Sequence, residues 1–125
     1  MWPEVAAAAI GGAVGASARF AVTVWVADWF GRDFPWGTLI VNVVGSFLLG
    51  MLFVLTVERG ELPAVWRAAL MVGVLGAFTT FSTFAVDSVA LLEQGEVVRA
   101  FANLCANVII CFVMAWLGFR LVRLI

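Results

Sequence analysis

The 125-residue sequence contains no histidine and no tyrosine, and only 12% of its residues are charged. Histidine is the side chain most often used as a general acid or base, so its absence argues against hydrolytic triads and most proton-transfer chemistry. Cys105 and Cys111 are six positions apart. That spacing excludes a disulfide within one helix, and no metal-ligand pattern surrounds either cysteine. We therefore expect a protein that is not an enzyme.

Hydrophobic residues make up 65% of the chain, far more than a water-soluble domain contains. Charged residues separate four apolar stretches, at residues 5–27, 36–57, 64–92 and 98–122. Each is close to the roughly 20 residues that cross the hydrocarbon core as a helix, and none alternates in polarity as barrel strands do. The sequence predicts an all-α membrane protein with four transmembrane helices, residues 1–125 forming one domain. The net charge of −1 gives no indication of nucleic-acid binding.

Arginine placement gives only a weak indication of orientation in the bilayer. With four spans, both termini and the second loop share one side, and the first and third loops share the other. Positive residues favour the cytoplasmic side. The chain therefore either inserts with a weak preference for an inside N-terminus or inserts both ways and pairs antiparallel. The count is four against two: Arg59, Arg67, Arg120 and Arg123 against Arg32 and Arg99.

Small residues recur along the first two stretches. Gly11 and Gly15 form a GxxxG pair, and Gly45, Ser46 and Gly50 lie in the second stretch. Small side chains let helix backbones approach closely in a membrane. Because four short helices cannot easily enclose a polar pathway, we expect close helix packing and a homo-oligomer.

Arg19, Asn42 and Asp87 lie within the apolar stretches, where such polar groups are costly unless they face protein or water. Arg19 either belongs to a functional site or hydrogen-bonds to carbonyls at a helix break or interface. Asn42 offers two N–H donors and one acceptor, so it either holds a dehydrated anion or makes an interhelical hydrogen bond. Asp87 lies close enough to the end of its stretch to reach wetted surface.

The segment 76–84, GAFTTFSTF, combines small, hydroxyl and aromatic residues inside the third stretch. Irregular backbone at membrane depth is tolerated only where it is buried in protein or lines a cavity. We expect the third helix to be broken near its middle, between Gly76 and Thr80. The positive ring edges of Phe81 and Phe84 can stabilise an anion, whereas carbonyls freed by an unwound turn can bind a cation.

A polar stripe runs along the fourth stretch. Asn103, Asn107 and Cys111 recur every fourth residue and therefore share one helix face. Polar stripes on apolar helices face protein or water rather than lipid. This face is either a second lining surface or a set of interhelical contacts.

These residues resemble the Fluc (CrcB) family of fluoride channels over nearly the whole chain. The first helix carries GAVGASARF at 12–20, the second carries PWGT at 35–38 followed by Asn42, and the third carries TTFSTF at 79–84. That hexapeptide, in the third of four helices in so short a chain, is highly specific. The resemblance implies a passive, fluoride-selective channel that exports fluoride through the inner (plasma) membrane and so relieves its toxicity.

The resemblance also implies an antiparallel, dual-topology homodimer with two pores, each lined by both subunits. Asn42 would donate to fluoride, and ring edges would flank its path. The family usually has Ser or Thr where this chain has Asn107 and Cys111, and a thiol is a weak donor. The fluoride pathway is assigned to Thr38, Asn42, Phe81, Ser82, Thr83, Phe84, Asn107 and Cys111.

The same resemblance implies a bound structural Na⁺ on the dimer axis. Backbone carbonyls of Gly76 and Thr79 from both subunits would hold it. Ala77 stands where the family often has a second glycine, but the carbonyl assigned to sodium belongs to Gly76. Arg19 would line the vestibule or brace the helix break.

A small multidrug-resistance-type antiporter, which exports cations in exchange for protons, is the alternative. That chemistry needs a membrane-embedded carboxylate, and the first stretch has none between Glu4 and Asp28. A purely structural membrane subunit would leave the hydroxyl run unexplained.

Overall fold

The computed structural model describes all 125 residues, and the chain is entirely helical apart from short loops. Four segments are long and apolar enough to cross a membrane, which confirms the predicted four-span, all-α architecture. We divide them into α1 (Trp2–Phe30), α2 (Trp36–Glu58), α3 (residues 64–78), α4 (Phe81–Glu93) and α5 (Val97–Leu124).

The helix ends follow local chemistry. Pro35 and Pro63 directly precede α2 and α3, where the lack of an N–H costs nothing because the first helical N–H groups have no partner. Gly31 follows α1 with a φ of 80°, and Gly95 precedes α5 with a φ of 78°. Such left-handed backbone is readily available only to glycine. The polar loops are therefore short and sharply turned.

Glycines allow two pairs of helices to touch through their backbones. A Cβ added at Gly11 or Gly15 would collide with backbone atoms of Ala69 or Val74 in α3. A Cβ at Gly50 would meet the Ala115 carbonyl on α5 in the same way. Two backbones in direct contact maximise dispersion between helices, which is the main source of packing energy in lipid. Gly11 and Gly15 thus pack as expected.

Thr79 and Thr80 interrupt the third span. α3 ends at Phe78, Thr79 has φ −86° and ψ 157°, and Thr80 has φ −153° and ψ 117°. Thr80 then caps α4, since its hydroxyl oxygen accepts from the backbone N–H of Thr83 at 3.2 Å. Gly45 on α2 gives the Thr79 methyl group room, because a Cβ at Gly45 would overlap it. Two extended residues therefore lie beside α2.

Polar contacts join the ends of α2 and α5. Glu58 forms an ion pair with Arg123, and Arg59 donates to the backbone carbonyl of Val122 at 2.7 Å. These groups lie at the helix termini, where side chains reach the polar interface. Large apolar side chains cover most of the remaining outer surface, as expected of helices that face lipid or another protein chain.

Candidate functional site

Asn42 holds the extended backbone of Thr80. The Asn42 Nδ2 group donates to the Thr80 carbonyl at 3.0 Å, and the Thr80 N–H donates to Asn42 Oδ1 at 2.8 Å. Only an extended residue turns its own N–H and C=O to the same side, as in a strand pair. One carboxamide therefore satisfies both the N–H and the C=O of Thr80, which the helix interruption would otherwise leave without partners.

The Asn42 amide also begins a chain of side-chain hydrogen bonds. Its Nδ2 group donates to Asn107 Oδ1 at 3.0 Å, and Asn107 Nδ2 donates to Asn103 Oδ1 at 2.9 Å. Asn103 Nδ2 donates to Ser88 Oγ at 2.9 Å, and that hydroxyl donates to the Phe84 carbonyl at 2.8 Å. Asn42, Ser88, Asn103 and Asn107 are all buried. These bonds join α2, α4 and α5 around the interruption.

A cavity of about 280 Å³ opens beside Asn42 and Thr80, and we call it the phenylalanine cavity. No charged side chain lines it. It therefore offers amide, hydroxyl, thiol and ring-edge groups and no formal charge. Six of the residues predicted from the sequence as ion-binding residues meet there: Asn42, Thr79, Phe81, Phe84, Asn107 and Cys111.

Phe81 and Phe84 differ in their surroundings. Their ring centroids are 5.4 Å apart and the rings are inclined at 68°, an edge-to-face pair. Phe84 is only 5% exposed, whereas Phe81 is 78% exposed. One ring is thus fixed within the subunit, and the other projects from its surface.

A second cavity of about 260 Å³, the arginine cavity, lies on the other side of Thr80. Arg19, Thr38, Thr80 and Thr83 are among its lining residues. The Nε atom of Arg19 is buried without a hydrogen-bond partner. Thr23 lines it as well, so this cavity places one cationic group beside four hydroxyls.

A third cavity of about 340 Å³, the mouth cavity, lies near the loop between α1 and α2. Thr38 lines both it and the arginine cavity, and its hydroxyl donates to Asp87 Oδ2 at 2.9 Å. Arg32 and Asp33 also line the mouth. Asp87 is therefore part of a polar opening, in line with its predicted place near wetted surface.

The structure separates some residues that the sequence grouped together. Thr83 and Thr38 lie in the arginine cavity, whereas Ser82 is exposed and lines none of the three cavities. Gly76 lines none of them either and ends α3 together with Ala77 and Phe78. No residue pattern in the sequence could distinguish Ser82 from Thr83, because the difference depends on how α4 is rotated against α1 and α2.

Sequence reasoning missed other residues. Ser88 joins the hydrogen-bond chain, although no sequence pattern singles it out. The phenylalanine cavity also includes Ser46, Leu49, Thr80 and Val108. Two of them carried a usable signal: Ser46 is a small hydroxyl residue one turn beyond Asn42, and Thr80 belongs to the hydroxyl run at 79–84.

Comparison with known proteins finds clear relatives. The family model described as CrcB-like protein, Camphor Resistance (CrcB), matches residues 6–119. A protein of Methylococcus capsulatus named fluoride-specific ion channel FluC is 50% identical over 94% of this chain. The chain spans about half of that relative, 51% of its length. A protein of the same name from Magnetococcus marinus is 44% identical over 98% of this chain and 99% of its own length. A Vibrio cholerae protein with that name is 49% identical over 90% of this chain and 89% of its own.

Proposed function

Because this chain belongs to the CrcB family, we propose that it is a fluoride-selective ion channel through which fluoride leaves the cytoplasm passively. It is not an enzyme. The phenylalanine cavity is the observation that carries this proposal, since it combines an amide, hydroxyls and two ring edges with no formal charge. Neutral donors bind an anion without trapping it, and conduction requires sites that an ion can leave.

Asn42 is the proposed fluoride donor, and its hydrogen bonds define how an anion would reach it. Both Nδ2 hydrogens are engaged, one with the Thr80 carbonyl and one with Asn107 Oδ1. An entering fluoride would take the place of Asn107 Oδ1 as the acceptor, while the bonds to Thr80 keep the amide fixed. The exchange replaces one acceptor by another, so a desolvated anion gains a partner without loss of the helix interruption.

The three cavities suggest the remainder of the pathway. The mouth cavity and the arginine cavity share Thr38, and the arginine and phenylalanine cavities share Thr80. Arg19 would attract the anion toward the interior, and Thr83 would offer a hydroxyl beside it. Asn107 and Cys111 extend the lining along α5 beyond the rings. Ser82, exposed in this chain, would contribute only through a surface shared with another subunit.

The driving force for export would be electrical. Neutral hydrogen fluoride crosses membranes, dissociates inside and leaves the anion behind. An inside-negative potential favours exit by about 2.3 kcal/mol per charge for each 100 mV. A channel in the inner (plasma) membrane would therefore relieve fluoride toxicity without a second energy source.

We propose a homodimer of two oppositely inserted copies, with both subunits lining each pore. Two observations support it. Phe81, a residue of the proposed pathway, is 78% exposed in the single chain, and the cavity that it borders is open to the outside. The near-balanced arginine count, four against two, permits insertion in both orientations. A second copy would enclose the exposed ring.

A structural Na⁺ between the two copies is part of this proposal. Carbonyl oxygens of unwound helices bind sodium in other membrane proteins. Here α3 ends at Phe78, so its last carbonyls lack intrahelical donors, and Thr79 is extended. The donor set offered by Gly76 and Thr79 is therefore suitable. Sodium would supply a fixed positive charge that holds the two interruptions together.

Sodium removal is expected to weaken the dimer. An ion present at a hundredfold excess over its dissociation constant stabilises the folded assembly by about 2.7 kcal/mol. We expect a lower unfolding temperature and more monomer when N-methylglucamine replaces sodium in detergent, with potassium as the matched cation control. Equal stability and assembly in all three buffers would exclude a structural sodium.

The functional test is fluoride efflux from liposomes that contain the purified protein. With valinomycin to balance potassium, we expect efflux that follows the membrane potential and is unchanged by an imposed proton gradient. The antiporter alternative requires proton-dependent cation movement. It is not favoured, because α1 has no carboxylate between Glu4 and Asp28, and the Glu4 carboxylate is paired with the N-terminal amine at 2.7 Å. Vesicles that retain fluoride as empty liposomes do would refute the channel.

A further inference from the structure

We propose that Ser88 and Asn103 form a positioning relay, which holds the Asn107 amide in the direction that turns its Oδ1 atom toward Asn42. The relay deepens the proposed channel function and rests on it. Neither residue lines the phenylalanine cavity. Both are buried directly behind it, Asn103 at 0% and Ser88 at 4% exposure.

The direction of the relay is set at its two ends. The Ser88 hydroxyl donates its one proton to the Phe84 carbonyl, which leaves the Ser88 oxygen as an acceptor. The Ser88 oxygen then accepts from Asn103 Nδ2, which turns Asn103 Oδ1 toward Asn107. At the opposite end the Thr80 N–H can only donate, which turns Asn42 Oδ1 toward Thr80.

These constraints leave one consistent arrangement. Asn107 Nδ2 faces Asn103, where the Asn103 main-chain carbonyl also accepts from it at 3.0 Å. Asn107 Oδ1 therefore faces Asn42 and receives the Nδ2 donor. From Asn42 through Asn107 and Asn103 to Ser88, each side chain donates to the next one, and Asn42 also donates to the Thr80 carbonyl. An anion that displaces Asn107 Oδ1 therefore meets the Asn42 N–H, whereas an Asn107 amide turned around would set its own N–H groups against that donor and leave no acceptor for the anion to displace.

Burial makes the direction costly to reverse. An amide turned around within this network would set two donors or two acceptors against each other, and buried polar groups without partners are destabilising. Ser88 thus holds the direction of the Asn103 amide and, through it, supports that of Asn107, although it lies outside the pathway. Without its oxygen, Asn103 Nδ2 has no acceptor and the Asn103 amide is free to turn.

The experiment compares fluoride efflux among buried hydroxyl and amide variants in liposomes. Ser88→Ala and Asn103→Leu are each expected to lower efflux about tenfold. The loss is partial because the main-chain carbonyl of residue 103 still accepts from Asn107 in both variants. Thr56→Val is the matched control. The Thr56 hydroxyl is equally buried and donates to the Leu52 carbonyl at 2.6 Å, but it lines none of the three cavities.

Two further variants separate positioning from simple destabilisation. The double variant Ser88→Ala with Asn103→Leu should lose about as much efflux as either single one, because residues of one relay are not additive. Ser88→Thr keeps the hydroxyl and should restore efflux to within about twofold of the wild type. Unfolding temperatures should fall similarly in Ser88→Ala and Thr56→Val, while only Ser88→Ala loses efflux.

A conducting wild type together with normal efflux in Ser88→Ala would overturn the relay alone. So would equal losses in Ser88→Ala and Thr56→Val, or about a hundredfold loss in the double variant, which is the additive result. A wild type without fluoride efflux would overturn the channel function and the relay with it.

Discussion

Asn42→Ala is expected to lower fluoride efflux at least a hundredfold, which corresponds to an increase of about 2–3 kcal/mol in the barrier to permeation. The change removes the proposed fluoride donor and, at once, both bonds that hold Thr80. The Thr80 N–H and C=O would then lack partners inside the protein, so the interruption between α3 and α4 would lose its fixed geometry. Efflux from liposomes, measured with a fluoride electrode, checks this result.

Two companion variants sharpen the Asn42 experiment. Asn42→Asp keeps an acceptor for the Thr80 N–H but loses both donors, so it should be as inactive as Asn42→Ala. Ser17→Ala, an exposed hydroxyl on α1 that lines none of the cavities, should conduct normally. Size-exclusion chromatography verifies that each variant remains assembled. Wild-type efflux from Asn42→Ala would remove this residue from the pathway.

Phe81→Ile and Phe84→Ile are each expected to lower efflux roughly tenfold or more, on the scale of about 1–2 kcal/mol that specific aromatic geometry contributes. Isoleucine fills similar apolar space but has no electropositive ring edge to face an anion. Phe84 tolerates substitution less well than Phe81, because its ring is buried and is held edge-to-face against Phe81. Single-turnover efflux traces or single-channel currents measure the change.

A ring pair elsewhere in the chain supplies the control for the phenylalanine variants. Phe53 and Phe119 stack at 5.0 Å with nearly parallel rings and border none of the three cavities. Phe119→Ile removes the same ring and the same kind of contact, so it should affect stability but leave efflux unchanged. Normal conductance in both Phe81→Ile and Phe84→Ile would reduce their rings to a packing role.

The sequence predicted the membrane spans closely. The stretches 36–57 and 64–92 became helical segments Trp36–Glu58 and Ala64–Glu93, and 98–122 became Val97–Leu124. The first span is longer than expected, Trp2–Phe30 against 5–27. The helix continues past Glu4 and Asp28 because charged side chains at a span end can remain in the interface while the backbone stays helical.

The sequence also singled out residues that the structure brings together. Asn42, Phe81, Phe84 and Asn107 were singled out as polar or aromatic groups at helical spacing within apolar stretches, and one cavity brings them together. Their family resemblance added the fluoride assignment. Local patterns are enough to single these residues out, because a polar group at membrane depth is costly unless it faces protein or water.

Only the tertiary structure decided how these groups meet. The Asn42–Thr80 bonds join residues 38 positions apart, and the Asn42–Asn107 bond joins residues 65 apart. Asn42 uses both donors inside the protein, and Ser88 and Asn103 lie behind it. Both facts depend on helix rotations set by the contact of the Thr79 side chain with Gly45 and the backbone contact at Gly50. Hydrophobicity and periodicity determine where each helix runs. They do not determine which face meets which, because that choice is made by the packing of distant segments.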